Sequence, residues 1–229
     1  MTRNCAIIVS GGRGSRMKAS KSKQFIELQG RAILSYTLEA FDKNSLIDEI
    51  ILVLPEDEIE LFKKTILSKE KINKLKAIVP GGIERQQSVY NGLRAITICD
   101  IVLIHDGARP FVTSRLIEEG IKYASLYGAA ACGVTPKDTI KIIGEGGFSL
   151  STPKRDTLCA VQTPQCFSYP LIKKAHEALI KSGEKVTDDT MAVEALGEKV
   201  YIYSGEYENI KITTPEDLVT AERLCSIYN

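Results

Sequence analysis

Apolar residues along this chain alternate between short continuous runs and helically spaced sets. The runs Cys5–Val9, Glu49–Leu54, Leu75–Val79, Ile101–Ile104 and Ala129–Val134 place apolar side chains at successive positions, the pattern of strands covered on both faces. Between them, Ile33–Phe41, Glu58–Leu67, Glu84–Ile96 and Ser114–Tyr127 repeat apolar residues at the spacing of amphipathic helices. Strand–helix alternation predicts right-handed βαβ units, and so an α/β fold built on a Rossmann-like, mostly parallel sheet. Such sheets bind ligands at the carboxyl ends of their strands.

Residues 137–162 break this rhythm. Asp138–Ile143 reads as a strand, Gly144-Glu145-Gly146-Gly147 as a turn and Phe148–Val161 as a returning strand. An isolated hairpin is marginal in water, so this arm is expected to project from a single domain spanning 1–229 and to pack on a second subunit. The helix–strand pattern then resumes with helices at Tyr169–Lys181 and Asp188–Leu196, the latter with Thr187 as its N-cap, and a strand at Lys199–Tyr203. Thr214-Pro215-Glu216-Asp217 signals a last helix, with a capping residue, proline at the first position and acids against the helix dipole.

A net charge of +1, from 30 basic and 29 acidic residues, argues against a broad nucleic-acid footprint and leaves room for a local anion site. No stretch reaches the ~18 apolar residues that span a membrane, and the first apolar run ends at Val9 without a signal-peptide pattern. The six cysteines form no C-x-x-C pair, and most sit in apolar runs as reduced core residues. A cytoplasmic location is expected.

The first strand feeds Ser10-Gly11-Gly12-Arg13-Gly14-Ser15-Arg16-Met17, and Lys23-Gln24 follows. Glycines let backbone N–H groups approach an oxyanion, and Arg16 and Lys23 add fixed cations. The loop matches neither common phosphate motif. Met17 stands where the third glycine of a dinucleotide fingerprint belongs, and no Gly-Lys pair makes a P-loop. It is a phosphate loop of another kind or a tight turn.

His105-Asp106-Gly107-Ala108-Arg109-Pro110 puts a carboxylate at the end of another strand. Asp106 there either ligates Mg²⁺, which takes one or two carboxylates plus substrate phosphates, or caps a turn and pairs with Arg109. The glycine loop favours the metal. Gly81-Gly82-Ile83-Glu84-Arg85-Gln86-Gln87-Ser88 opens a helix, leaving backbone N–H and C=O groups to read a base edge, with Ser88 beside them, or else forms an ordinary turn. Arg155 and Gln162-Thr163-Pro164-Gln165 fall on the arm's return, and Thr187-Asp188-Asp189 offers a hydroxyl and helix N-terminal amides. Lys211 lies in the β-like run Asn209–Thr213, facing either solvent or the cleft. His105 and His176 have no nucleophile motif near them.

In order and spacing these segments resemble the 2-C-methyl-D-erythritol 4-phosphate cytidylyltransferase family over nearly the whole chain. The carriers are Gly11-Gly12-x-Gly14-x-Arg16-Met17, Lys23-Gln24, Gly81-Gly82-x-x-Arg85-x-x-Ser88, His105–Pro110, Arg155 with Thr163-Pro164-Gln165, Thr187-Asp188-Asp189 and Asn209–Thr213. The resemblance implies a nucleotidyltransferase-type sheet, CTP and a sugar-alcohol phosphate as substrates, Mg²⁺, and a homodimer with sites completed by the other subunit's arm. By the same resemblance, Arg16 and Lys23 act at the α-phosphate. Ser10, Gly11, Gly12, Gly14, Gly82, Arg85 and Ser88 hold the nucleotide. Asp106 organises the metal and the sugar phosphate, Arg109 and Thr187 contact the acceptor, and Lys211 positions it. Arg155 and Thr163 arrive from the partner's arm.

Three positions depart from the family pattern. Ser22 replaces the usual proline before Lys23, Ser10-Gly11-Gly12 replaces Ala-Ala-Gly, and Gly107 replaces alanine. A pentitol phosphate cytidylyltransferase, such as one acting on ribitol 5-phosphate, would share the CTP half. Pro136–Lys141 and Thr187-Asp188-Asp189 look more like the methylerythritol enzymes. A nucleotide-binding regulator without turnover is disfavoured by the presence of Arg16, Lys23, Asp106 and Lys211.

Overall fold

Strand β1 (Asn4–Val9) is buried at all six positions, because alternate side chains feed two cores. Ala6 and Ile8 join one apolar cluster; Cys5, Ile7 and Val9 join another on the opposite face. The structure is a computed structural model that describes residues 2–11 and 22–228, the side chains of Lys23 and Tyr228 excepted. Gly12, Gly14 and Arg16 therefore lie outside the described residues, as does the side chain of Lys23.

Beyond a 3₁₀ turn at Lys23–Phe25 come β2 (Glu27–Leu28), β3 (Arg31–Ala32), α1 (Ile33–Lys43) and β4 (Glu49–Leu54). A second 3₁₀ turn, Glu56–Glu58, leads into α2 (Ile59–Phe62), which widens into a π-turn over Lys63–Leu67 where one amphipathic helix is predicted. Then follow β5 (Leu75–Pro80), α3 (Arg85–Ala95), β6 (Ile101–Asp106), α4 (Ser114–Tyr127) and β7 (Ala129–Val134). The remainder is β8 (Ile142–Ile143), β9 (Ser149–Ser151), β10 (Ala160–Ser168), α5 (Tyr169–Ser182), α6 (Asp189–Glu194), β11 (Tyr201–Ser204) and α7 (Pro215–Tyr228).

Seven strands form the central sheet in the order β11-β7-β10-β6-β1-β4-β5. All neighbours are parallel except β10, which runs antiparallel to both β6 and β7. The expected mostly parallel α/β architecture is therefore the observed one. Helix α3 packs closely on β1 because Gly92 has no side chain; a Cβ there would meet Ile7 Cγ2 at 2.7 Å. The chain leaves β1 with β4 on one side and β6 on the other, the strand-order reversal that opens a crevice at the carboxyl edge. Val9 is in register with Val53 and with Asp106, so the ends of three strands meet there.

The arm differs from the sequence reading. Its sheet is short: β8 and β9 pair antiparallel across a 3₁₀ turn at Glu145–Gly147, where Gly146 and Gly147 take φ of 69° and 82° that favour glycine. The returning limb does not stay in the arm. Ala160–Ser168 inserts into the central sheet as β10, and its register shifts between Val161 and Gln165. Pro164 falls in that break, which spares the ladder a missing N–H. Helix α6 is capped by Asp188, whose carboxylate accepts from Met191 N–H, and not by Thr187.

Candidate active site

A cleft of about 170 Å³ lies at the carboxyl edge, its wall formed by Ser10 and Gly11 after β1, Gly82 and Ser88 around the start of α3, Asp106 at the end of β6, and Lys211. Backbone bonds past the strand ends fix these loops: Ser10 N–H donates to Val53 O at 2.9 Å, Gly81 N–H to Leu54 O at 2.7 Å and Gly107 N–H to Val9 O at 2.9 Å. Ser10 is buried, and its Oγ has no hydrogen-bond partner among the described residues.

The glycine pair before α3 is more tightly bound than the sequence suggests. Ser88 Oγ accepts from Gly82 N–H at 3.0 Å and donates to Glu84 O at 3.2 Å. Gln87 Oε1 accepts from the N–H groups of Ile83 and Glu84 at 2.9 and 3.3 Å, completing a capping box with Glu84. The N–H groups of residues 82–84 are thus used internally and are not free to read a base. Ser88 Oγ also needs the glycines beside it, since a Cβ at Gly81 or Gly11 would sit 3.0 or 3.1 Å from it.

Asp106 is the electrostatic centre. Lys211 Nζ lies 2.8 Å from its Oδ2, Arg109 Nε 3.7 Å from the same oxygen and Arg85 Nε 3.5 Å from Oδ1. Burial opposes ionisation of this carboxyl, yet Arg85, Lys211 and Arg109 hold it far below the usual carboxylate range. Arg85 is bracketed in turn: its Nη1 lies 2.7 Å from Oδ2 of Asp189, whose Oδ1 lies 3.1 Å from His176 Nε2. Burial lowers the Arg85 pKa, but Asp189 and Asp106 outweigh it and raise it. No sequence pattern pairs Asp189 with His176, which meet across 13 positions.

Lys211 is held in place by segments far apart in sequence. Residues 209–213 are not a strand. Ile212 N–H donates to Ala108 O at 2.9 Å, Asn209 Nδ2 donates to Thr163 O at 2.8 Å and Arg109 Nη1 donates to Asn209 O at 2.7 Å. Behind Asp106 runs a buried relay: Asp106 N–H donates to Thr163 Oγ1 at 3.1 Å, which contacts His105 Nδ1 at 3.0 Å, while His105 Nε2 faces Arg109 O at 3.2 Å. The hydroxyl donates to Nδ1, and Nε2–H donates to the carbonyl. Burial pushes the His105 pKa down to about 4, consistent with this neutral ring.

Thr163 therefore sits beside Asp106 of its own chain, and the expectation that it arrives from a partner's arm is overturned. Its neighbours in β10 carry it into the central sheet. Arg155 is exposed on the 3₁₀ turn Arg155–Thr157, where Nη2 donates to Thr139 Oγ1 at 3.3 Å, and it does not line the cleft. Thr187 is exposed, with Oγ1 3.8 Å from Met191 Sδ.

Among the described residues no three His, Cys, Asp or Glu side chains converge as a metal cage. Asp106 stands as a single carboxylate on the cleft wall with cations at both oxygens. That donor set does not retain a bare dication. It does fit Mg²⁺ arriving with phosphates that supply most of its shell.

The family model described as 2-C-methyl-D-erythritol 4-phosphate cytidylyltransferase (IspD) matches residues 4–226. A protein of that name from Clostridium acetobutylicum is 60% identical over 221 residues, covering 96% of each chain. One from Clostridium perfringens is 58% identical over 217 residues, covering 95% of this chain and 96% of its own. The crystal structure of 4-diphosphocytidyl-2C-methyl-D-erythritol synthase from Anaerococcus prevotii superposes with a TM-score of 0.88 at 37% identity, over 98% of this chain and 96% of that one. The cytidylyltransferase structure from Thermus thermophilus gives 0.78 at 32% identity, over 99% and 100%.

Proposed function

Because the chain belongs to the 2-C-methyl-D-erythritol 4-phosphate cytidylyltransferase family, we propose that the cleft around Asp106 brings CTP and methylerythritol phosphate together. The chain is a nucleotidyltransferase of isoprenoid biosynthesis. An oxygen of the acceptor phosphate forms a bond to the α-phosphorus of CTP. The bond from that phosphorus to the bridging oxygen breaks, and pyrophosphate leaves with the electron pair.

The observation that carries this reading is one buried carboxylate ringed by Lys211, Arg85 and Arg109 at the carboxyl edge of the sheet. Two polyanions must meet for this reaction, so fixed cations that offset their repulsion and the charge developing in the transition state are the main requirement. The acceptor phosphate is already ionised, and no general base is needed. His105 supplies none, being buried with both ring nitrogens engaged.

In this reading the wall made by Ser10, Gly11, Gly82 and Ser88 holds the nucleotide, and Ser10 Oγ, without a partner among the described residues, is a group that CTP satisfies on binding. Arg16 and Lys23 act at the α-phosphate, and Lys211 orients the acceptor. Asp106 would hold Mg²⁺ delivered with the triphosphate, where the ion would neutralise phosphate charge. Arg109 and Thr187 serve the acceptor side. We assign the chain to a cytoplasmic homodimer. No described helix is long and apolar enough to cross a membrane, and the arm exposes Ile142, Ile143, Phe148 and Leu150, apolar side chains suited to a second copy that brings Arg155.

Pyrophosphate release from CTP and Mg²⁺ tests the assignment, with methylerythritol phosphate and ribitol 5-phosphate offered in parallel. Turnover with the first alone is expected. Turnover with ribitol 5-phosphate alone overturns the acceptor.

A further inference from the structure

The residues on either side of Lys23 are tied to one carboxylate. Ser22 Oγ donates to Oε1 of Glu58, and Gln24 Nε2 donates to Oε2 of the same side chain. Just past those two anchors, Phe25 N–H donates to Ser22 O at 2.9 Å and closes the 3₁₀ turn. Glu58 is itself fixed, its N–H donating to Pro55 O at 3.0 Å directly after β4, a strand whose last five residues are buried. The turn is thus fastened through Glu58 to the carboxyl edge of the sheet, and Gln24, 1% exposed, also lines the cleft.

We propose that Glu58 is a positioning residue: its carboxylate bridges Ser22 and Gln24 and so fixes the turn from which Lys23 reaches the nucleotide. The inference rests on the reading of Lys23 as a group acting at the α-phosphate. Serine at position 22 leaves φ unrestrained where proline would lock it. Two hydrogen bonds to one side chain, from Ser22 Oγ and Gln24 Nε2, supply the restraint instead. Glu58 contacts no reacting atom in this scheme. It sets where a cation stands, and a displacement of ~1 Å at a reacting centre costs on the order of 100-fold in rate.

The test compares Glu58→Ala, Lys23→Ala, the double variant and Glu58→Ala/Ser22→Pro by steady-state kinetics and thermal melts. Glu58→Ala is expected to lower kcat by about 10- to 100-fold with KM for CTP within about twofold of the parent. Adding it to Lys23→Ala is expected to change the residual kcat little, since both act through one group. Ser22→Pro in the Glu58→Ala background is expected to restore most of the loss, a recovery that a general packing role for Glu58 does not produce. Parental kcat in folded Glu58→Ala overturns the proposal. So does an equal further loss in the Lys23→Ala background, or an absence of rescue by Ser22→Pro. Parental turnover by Lys23→Ala removes the underlying reading of Lys23, and that result is distinct from any failure of Glu58.

Discussion

Ser10 Oγ occupies the space a side chain at Gly107 would need: a Cβ built on Gly107 lies 1.9 Å from it. Glycine at 107 and serine at 10 therefore fit together: the serine hydroxyl fills the space that an alanine methyl at 107 would take, across the gap between the ends of β1 and β6.

That fit predicts coupled substitutions. Gly107→Ala alone is expected to destabilise the fold by ~1–3 kcal/mol, the range for overpacking a filled site. Ser10→Ala removes the obstructing oxygen and should recover most of that loss in the double variant. Leu34 Cδ1, 3.0 Å from the same built Cβ, is the end of a flexible side chain and can shift. Urea unfolding of the single and double variants measures the coupling; additive effects would contradict a shared space.

Asp189 supports the site from beneath. It is fully buried and joins Arg85 to His176, so Asp189→Asn leaves Arg85 with Asp106 as its remaining ion-pair partner among the described residues. Breaking a buried pair typically costs ~3–5 kcal/mol, and the partial exposure of Arg85 reduces that to about 2–3 kcal/mol. KM for CTP should rise along with the loss of stability, because Arg85 lines the cleft. Chemical denaturation and initial-rate kinetics on one preparation report both; a stable variant with unchanged KM would remove Arg85 from nucleotide binding.

The difference between what the sequence revealed and what it hid has physical causes. Strands β1, β4, β6 and β7 read directly as apolar runs because helices cover both of their faces. Strand β10 did not, since Gln162, Thr163, Pro164 and Gln165 are residues a central strand rarely tolerates; they fit because the register breaks there. Those same residues carry Thr163 to Asp106. The Asp189–His176 pair spans 13 positions and two helices, and the Glu58 link to Ser22 and Gln24 spans 36 and 34. No local periodicity encodes contacts of that kind. Asp106, Ser88 and Lys211, which the structure brings to one cleft, stand out as candidates in the sequence because the carboxyl ends of strands and the turns after them are where such a sheet binds ligands.

His105 predicts a pH dependence of stability. Its folded pKa is lowered to about 4 by burial, against about 6.5 in an unfolded chain. Between those values the unfolded state binds more protons, so stability falls as pH drops from about 6.5 to 4, by up to ~3 kcal/mol from this residue. Below about 4 both states are protonated and its contribution stops changing. Depressed Asp106 and Asp189 add their losses lower still, once pH falls below the unfolded carboxylate range. Urea midpoints of the parent and of His105→Gln across pH 7 to 4.5 check the sign, with a flatter profile expected for the variant.

Arg155 tests the shared site. It is exposed on the turn after β9, within the arm, and stays out of the cleft of its own chain, whereas Thr163 belongs to that chain's own site. If Arg155 acts on a partner's nucleotide, Arg155→Ala and Lys23→Ala homodimers are each expected to lose about 10- to 100-fold or more in kcat. Mixing them through a denaturation and refolding step makes heterodimers in which one site keeps both residues and the other lacks both. Activity should then reappear above that of either homodimer, in proportion to the heterodimer fraction. Mixed dimers as inactive as their parents would place Arg155 outside the site and leave the arm as an assembly element alone.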